Sequence, residues 1–166
     1  MANSSDVPIK KDPIRTIKPK ELNIVWGNDT RYWKMHTPDG PEKEEAAELI
    51  QVCWLEVTAS VKDKQIEKGK SFEIIFEIQM KDDNFGWNGC PVFMMAKAGK
   101  KGKYRWEKIN LANIATEPNK TKPEIRMSID VKDDSHENTL YFGLYEVWTG
   151  RWKGGLVIYK AEVRPK

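Results

Sequence analysis

The chain is poor in the residues that staple or metallate small proteins. Among 166 residues there are two cysteines, Cys53 and Cys90, and two histidines, His36 and His136. With no CxxC pair, a disulfide scaffold and a Cys/His zinc site are both excluded as organising elements. No apolar run approaches the ~18 residues that a membrane-spanning helix needs. Residues 1–20 carry Pro8, Pro13 and Pro19 and lack the apolar core of a secretory signal. The expectation is a cytoplasmic or nuclear protein that is not inserted in a membrane. Catalytic signatures are missing too: there is no GxSxG, HExxH, P-loop or dinucleotide fingerprint. Glycoside hydrolysis needs only two carboxylates that converge in space, so Asp29, Glu56 and Glu146 are the residues such an activity would use. The expected protein is nevertheless not an enzyme, and no metal or cofactor is implied.

What is present resolves on dividing the chain. The net charge is +3. Residues 1–20 hold five basic and two acidic side chains, which accounts for all of it, and residues 21–166 balance at 23 of each sign. A polar segment of that kind buries too little apolar surface to offset its ordering entropy, so residues 1–20 are expected to be a flexible basic extension and residues 21–166 the folded domain.

Beyond residue 20 the dominant hydrophobic period is two. Cys53, Leu55, Val57, Ala59 and Val61 alternate with polar residues, as do Phe72, Ile74, Phe76, Ile78 and Met80, and Ile125, Met127, Ile129 and Val131. Each set reads as a strand with one wet face. Residues 140–148 are apolar on both parities and predict a strand covered on both sides, with another following over residues 155–163. Shorter candidates span residues 23–26, 32–35, 92–97 and 104–109. Turn-forming residues at 81–84 and 132–135 are expected to end strands. Residues 41–49, opening on Pro41 and rich in Glu and Ala, are the only helix candidate. The predicted fold is all-β: a two-sheet antiparallel sandwich of the jelly-roll kind with at most one short helix.

The compositional signal is tryptophan: seven, against five tyrosines and five phenylalanines. A core of this size accommodates one or two indoles, because each buried N–H needs a partner. Trp26 and Trp33 bracket the polar stretch Gly27-Asn28-Asp29-Thr30-Arg31, and Trp148 and Trp152 bracket Thr149-Gly150-Arg151. Flat apolar rings beside hydrogen-bonding groups suit sugars, whose C–H faces stack on indoles while their hydroxyls need in-plane donors and acceptors.

Two motif blocks extend this reading. Leu22-Asn23-Ile24-Val25-Trp26-Gly27-Asn28-Asp29-Thr30-Arg31-Tyr32-Trp33, followed by Ala47-Glu48-Leu49 and Val52-Cys53-Trp54-Leu55-Glu56-Val57, resembles the phloem protein 2 family of Nictaba-like and phloem lectins. So do Tyr141-Phe142-Gly143-Leu144-Tyr145-Glu146, Trp152-Lys153-Gly154-Gly155-Leu156 and Val163-Arg164-Pro165. The resemblance covers residues 22–166. It implies a β-sandwich lectin of the phloem and of plant defence, binding N-acetylglucosamine oligomers, chitin oligosaccharides and the N-glycan cores of glycoproteins. It also implies that Trp26 and Trp33 contact the sugar. On that basis Trp26, Trp33 and Trp152 are assigned as stacking walls, Asn28 and Asp29 as acceptors, and Arg31 and Lys153 as donors.

Where members of the tobacco type carry an unbroken lysine run that serves as a nuclear signal, Gly99 and Gly102 interrupt this one, and residues 97–103 read as a solvated hairpin loop. Two other readings remain. Family members associated with RNA movement make RNA or a ribonucleoprotein an alternative partner, with exposed aromatics stacking bases. A filament-forming component would need a cysteine cross-link, for which Cys90, beside Pro91, is the accessible candidate. Dimerisation would supply the multivalency that weak sugar sites require.

Overall fold

The computed structural model describes residues 12–40, 43–114, 116, 122–132 and 137–166. Eleven strands follow one another as β1 (Arg15–Ile17), β2 (Asn23–Ile24), β3 (Trp33–His36), β4 (Ala46–Leu49), β5 (Leu55–Lys62), β6 (Ser71–Phe85), β7 (Val92–Ala98), β8 (Arg105–Ile109), β9 (Glu124–Asp130), β10 (Thr139–Glu146) and β11 (Gly154–Pro165). They form two antiparallel sheets. One runs β3-β4-β11-β6-β9, with β1 pairing the far end of β11, and the other runs β2-β5-β10-β7-β8. Among the described residues the only helical pieces are two three-residue 3-10 turns, Pro19–Glu21 and Leu111–Asn113. The all-β sandwich expected from the alternation is the fold observed.

The alternation explains the core. Leu55, Val57 and Val61 of β5 and Leu140, Phe142 and Leu144 of β10 turn inward from one sheet. Phe72, Ile74, Phe76, Ile78 and Met80 of β6 face them from the other, together with Ile125, Met127 and Ile129 of β9. Phe76 and Phe142 meet edge to face across the interior with centroids 6.0 Å apart. That arrangement is the favoured geometry for an aromatic pair.

Three expectations are corrected. Residues 46–49 are strand β4, not part of a helix: Ala46, Ala47 and Leu49 are buried between β3 and β11. Tertiary pairing overrides the helical propensity of an Ala-Glu stretch of only four residues. Residues 81–84 do not end a strand, because β6 continues to Phe85, which pairs with Gly154. The register shift that permits this lies between Gly154 and Leu156. Gly155 sits there at φ 86°, a left-handed conformation, and a Cβ on it would lie 2.5 Å from Asn84 Cα.

The third correction concerns the boundary at residue 20. Ile14 N donates to Val163 O (2.8 Å), Arg15–Ile17 pair with β11, and Ile17 and Pro19 are buried. The folded part therefore starts before residue 15. Residues 1–11 lie outside the described residues, as do 133–136, which include most of the second expected turn.

The lysine-glycine segment is the loop of the β7–β8 hairpin, as its composition predicts. It is pinned by Gly99 N to Thr139 O and by Lys97 Nζ to Lys100 O.

Candidate functional site

The seven tryptophans divide as a core of this size requires. Trp87 is buried with its Nε1 donating to Gly154 O (2.9 Å), and Trp33 is 2% exposed. Trp26, Trp54, Trp106, Trp148 and Trp152 are all exposed.

The loop between β2 and β3 builds the first half of the site. Gly27 N donates to Ile24 O (2.9 Å), closing a turn in which Trp26 holds φ 64°. A left-handed backbone at the third residue of a turn normally calls for glycine or asparagine, so a tryptophan there is a conformational outlier of the sort that clusters at binding sites. Asp29 then organises the descent into β3. Its carbonyl accepts from Tyr32 N and Trp33 N, and its carboxylate accepts from Arg31 N (3.0 Å), Nε (3.1 Å) and Nη2 (2.8 Å). These hydrogen bonds from Arg31 hold the Asp29 carboxyl below the usual carboxylate range.

The second half comes from the turn between β10 and β11. Trp26 and Tyr32 lie 5.2 Å apart, and Tyr32 and Trp152 stack at 6.3 Å with planes 29° apart. Trp26 is 45% exposed and Trp152 47%. The Arg31 guanidinium sits 5.1 Å over the Tyr32 ring. A ladder of three rings thus crosses from one loop to the other, with Asn28, Asp29 and Thr30 bordering the hollow beside Trp26.

Of the residues expected at the site, the fold brings Trp26, Asn28, Asp29, Arg31 and Trp152 to this one region. Trp33 is not a wall: it is the first residue of β3, pairs with Leu49 and points into the core. Its indole N–H has no partner among the described residues. Lys153 is not a surface donor. Its ammonium is fully buried against Glu146 Oε1 (2.7 Å) and also donates to Arg151 O (2.8 Å). Tyr32, the ring that joins the other two, was absent from the expected set, although its position between Arg31 and Trp33 in the motif would have nominated it.

The Glu146–Lys153 pair shapes the turn instead. Burial works against the Glu146 charge, but hydrogen bonds from Lys153, Thr149 and Cys90 prevail and bring its pKa down to about 2. The same carboxylate accepts from Trp148 N and Thr149 N (3.3 Å each) and Thr149 Oγ1 (2.6 Å). A buried charge thus anchors both ends of the turn that presents Trp152. Glu146, one of the three candidate acids, is thus buried and engaged by Lys153, Thr149 and Cys90. Glu56, the second, accepts from Trp54 Nε1 (3.0 Å), and Asp29, the third, is held by Arg31.

Cys90, the candidate for cross-linking, is buried beneath the same turn, with Sγ 3.2 Å from Glu146 Oε1, and burial raises its pKa. Cys53 is the more accessible of the two free thiols.

The antiparallel two-sheet sandwich is a fold that this chain shares with solved carbohydrate-binding modules. A module described as recognising mannan superposes on 95% of this chain and 98% of its own with a TM-score of 0.52 at 13% identity, a likeness of fold. The chain belongs to the phloem protein 2 family, whose model matches residues 14–165. Protein PHLOEM PROTEIN 2-LIKE A9 of Arabidopsis thaliana is 43% identical over 163 residues, covering 89% of this chain and 84% of that one. A protein named Lectin from Luffa acutangula is 33% identical over 69 residues, 41% of this chain and 33% of its own.

Proposed function

We propose that this protein is a non-catalytic lectin that binds N-acetylglucosamine oligomers, as free chitin fragments or N-glycan cores, across the ladder Trp26, Tyr32 and Trp152. The observation that carries the reading is the convergence of three rings from two separate loops, with Trp26 held in a left-handed conformation. Family membership and a relative named as a lectin support it. Successive pyranose faces lie against the rings, Asn28 and Asp29 accept from hydroxyls or an acetamido N–H, and Arg31 donates from its free edge.

Each aromatic contact contributes about 0.5–1.5 kcal/mol, so a monosaccharide binds weakly and oligomers bind usefully. Calorimetric titration with chitotriose tests this. Trp152→Ala is expected to weaken binding by about 2-fold to 10-fold, the equivalent of one such contact, and Trp26→Ala by at least as much. Chitotriose binding that is unchanged in both variants overturns the site. A ligand held by stacking and neutral hydrogen bonds changes little in affinity with added salt, whereas an RNA partner loses affinity steeply.

A further inference from the structure

A second set of exposed rings lies on the outer face of the five-stranded sheet. Strand β10 runs through its centre with Tyr141, Gly143 and Tyr145 outward. The pairings place Ser60, Thr58 and Glu56 of β5 beside them on one flank and Lys97, Met95 and Phe93 of β7 on the other. One strand further out, Asn23 stands opposite Thr58 and Trp106 opposite Met95. A row across the strands therefore reads Asn23, Thr58, Gly143, Met95, Trp106. Gly143 carries no side chain and the Tyr145 ring leans over it: a Cβ there would lie 2.5 Å from Val57 O and 3.0 Å from the Tyr145 ring. A groove of about 510 Å³ lies over the β2, β5 and β10 part of this face, with Tyr141 and Tyr145 along it and Asn23, Glu56, Thr58 and Tyr104 around it.

On the β8 side Tyr104 links the groove to an aromatic cluster. Trp106 meets Phe93 at 5.9 Å, Trp148 at 5.8 Å and Tyr104 at 6.2 Å. Trp148 is 55% exposed and Trp106 48%. The Lys97 ammonium lies 4.6 Å over Tyr104 and 5.6 Å over Tyr141.

We infer that this face is a second glycan site, taking a linear neutral β-1,4-linked oligosaccharide that lies across the strands from Asn23 to Trp106. The inference rests on the lectin reading above. The groove offers hydroxyls from Thr58, Ser60 and three tyrosines, the Asn23 amide and the carboxylates of Glu21 and Glu56, with the Lys97 ammonium beside Tyr104 and Tyr141. Such a set satisfies a polyhydroxylated chain. It lacks the run of cations that a phosphate backbone requires, and so many polar groups would be left unpaired against an apolar protein partner. The face also adjoins the ladder: Val25 N, next to Trp26, donates to Glu56 O (3.1 Å), and the turn that carries Trp152 to the ladder carries Trp148 to this cluster.

The test uses the full chain, native mass spectrometry and calorimetry, with chitotetraose and cellotetraose as probes. Three proteins are compared: wild type, a face variant (Tyr104→Ala with Trp106→Ala) and a ladder variant (Trp26→Ala with Trp152→Ala). All four positions are exposed. Wild type is expected to bind two molecules of at least one probe and each variant one. One molecule bound by wild type and by the face variant, with none by the ladder variant, overturns the face site and leaves the ladder standing. Binding that survives in the ladder variant and vanishes in the face variant keeps the face site and overturns the ladder. No binding by wild type, or two molecules still bound by the face variant, overturns the inference. So does a wild-type dimer that the face variant converts to monomer, which would assign the face to a second copy.

Discussion

Trp33 and Trp26 show how far neighbouring identical side chains diverge. Trp33 lies in the core, so its removal is felt through the fold: Trp33→Ala is expected to lower unfolding free energy by about 3–5 kcal/mol in urea titration. Trp33→Phe retains most of the buried ring and deletes the orphan N–H. It is expected to cost less and to leave chitotriose affinity within twofold of wild type. A Phe variant that unfolds normally yet loses the sugar would place this indole in the binding site after all. Trp26 is the reverse case. Its left-handed backbone costs about 1–2 kcal/mol relative to an ordinary φ, so Trp26→Gly is expected to match or exceed the wild-type melting temperature while weakening chitotriose binding as much as Trp26→Ala does. Strain and function separate in that single variant.

At the level of elements, the turn between β10 and β11 depends on a charge pair that no longer sees water. Lys153→Met leaves Glu146 buried and unpaired, with an expected loss of about 3–5 kcal/mol. The double variant Glu146→Leu, Lys153→Met removes both charges, and its loss is expected to be well below the sum of the single variants, a coupling that a double-mutant cycle measures directly. The pair also sets a pH dependence. Glu146 ionises at about 2 in the fold against an ordinary value of 4.5. A carboxyl whose pKa is depressed by folding contributes stability in full above its unfolded value, and that contribution disappears as pH falls from about 4.5 to 2. Urea midpoints measured through this window should fall in wild type and fall less steeply in Glu146→Gln. Glu48, held by Lys81 and His36 against the effect of burial, is shifted in the same direction on the opposite sheet and adds to the slope.

For the molecule as a whole, the segment preceding residue 21 belongs in part to the sandwich. Ile17 is buried at the margin of β11, and burying such a side chain contributes about 1.5–3 kcal/mol. Deleting residues 1–20 also removes the β1–β11 pairing and the Arg15–Glu21 ion pair. The truncated chain is expected to unfold at a lower urea concentration by an amount of that order. A truncation with unchanged stability would show that β1 is a passive edge.

The alternation of residues 53–61, 72–80 and 125–131 determined the strands, because a period of two along a half-buried sheet leaves no other register for the apolar face. The count of indoles, set against what a small core absorbs, determined that most tryptophans lie at the surface. Pairing decided the rest. β4 and β1 have no strand pattern of their own and form because β11 supplies their hydrogen bonds. Which of Trp26 and Trp33 faces out depends on the sheet position it enters, so Trp33 turns inward while Trp26, seven residues earlier, stays on the loop. Phe93, Tyr104, Trp106 and Trp148 are spread over 56 positions of chain and become one surface only when β7, β8 and the last turn are side by side. Local sequence carries the periodicity of an element. Contacts between elements exist only once the sheets have closed on each other.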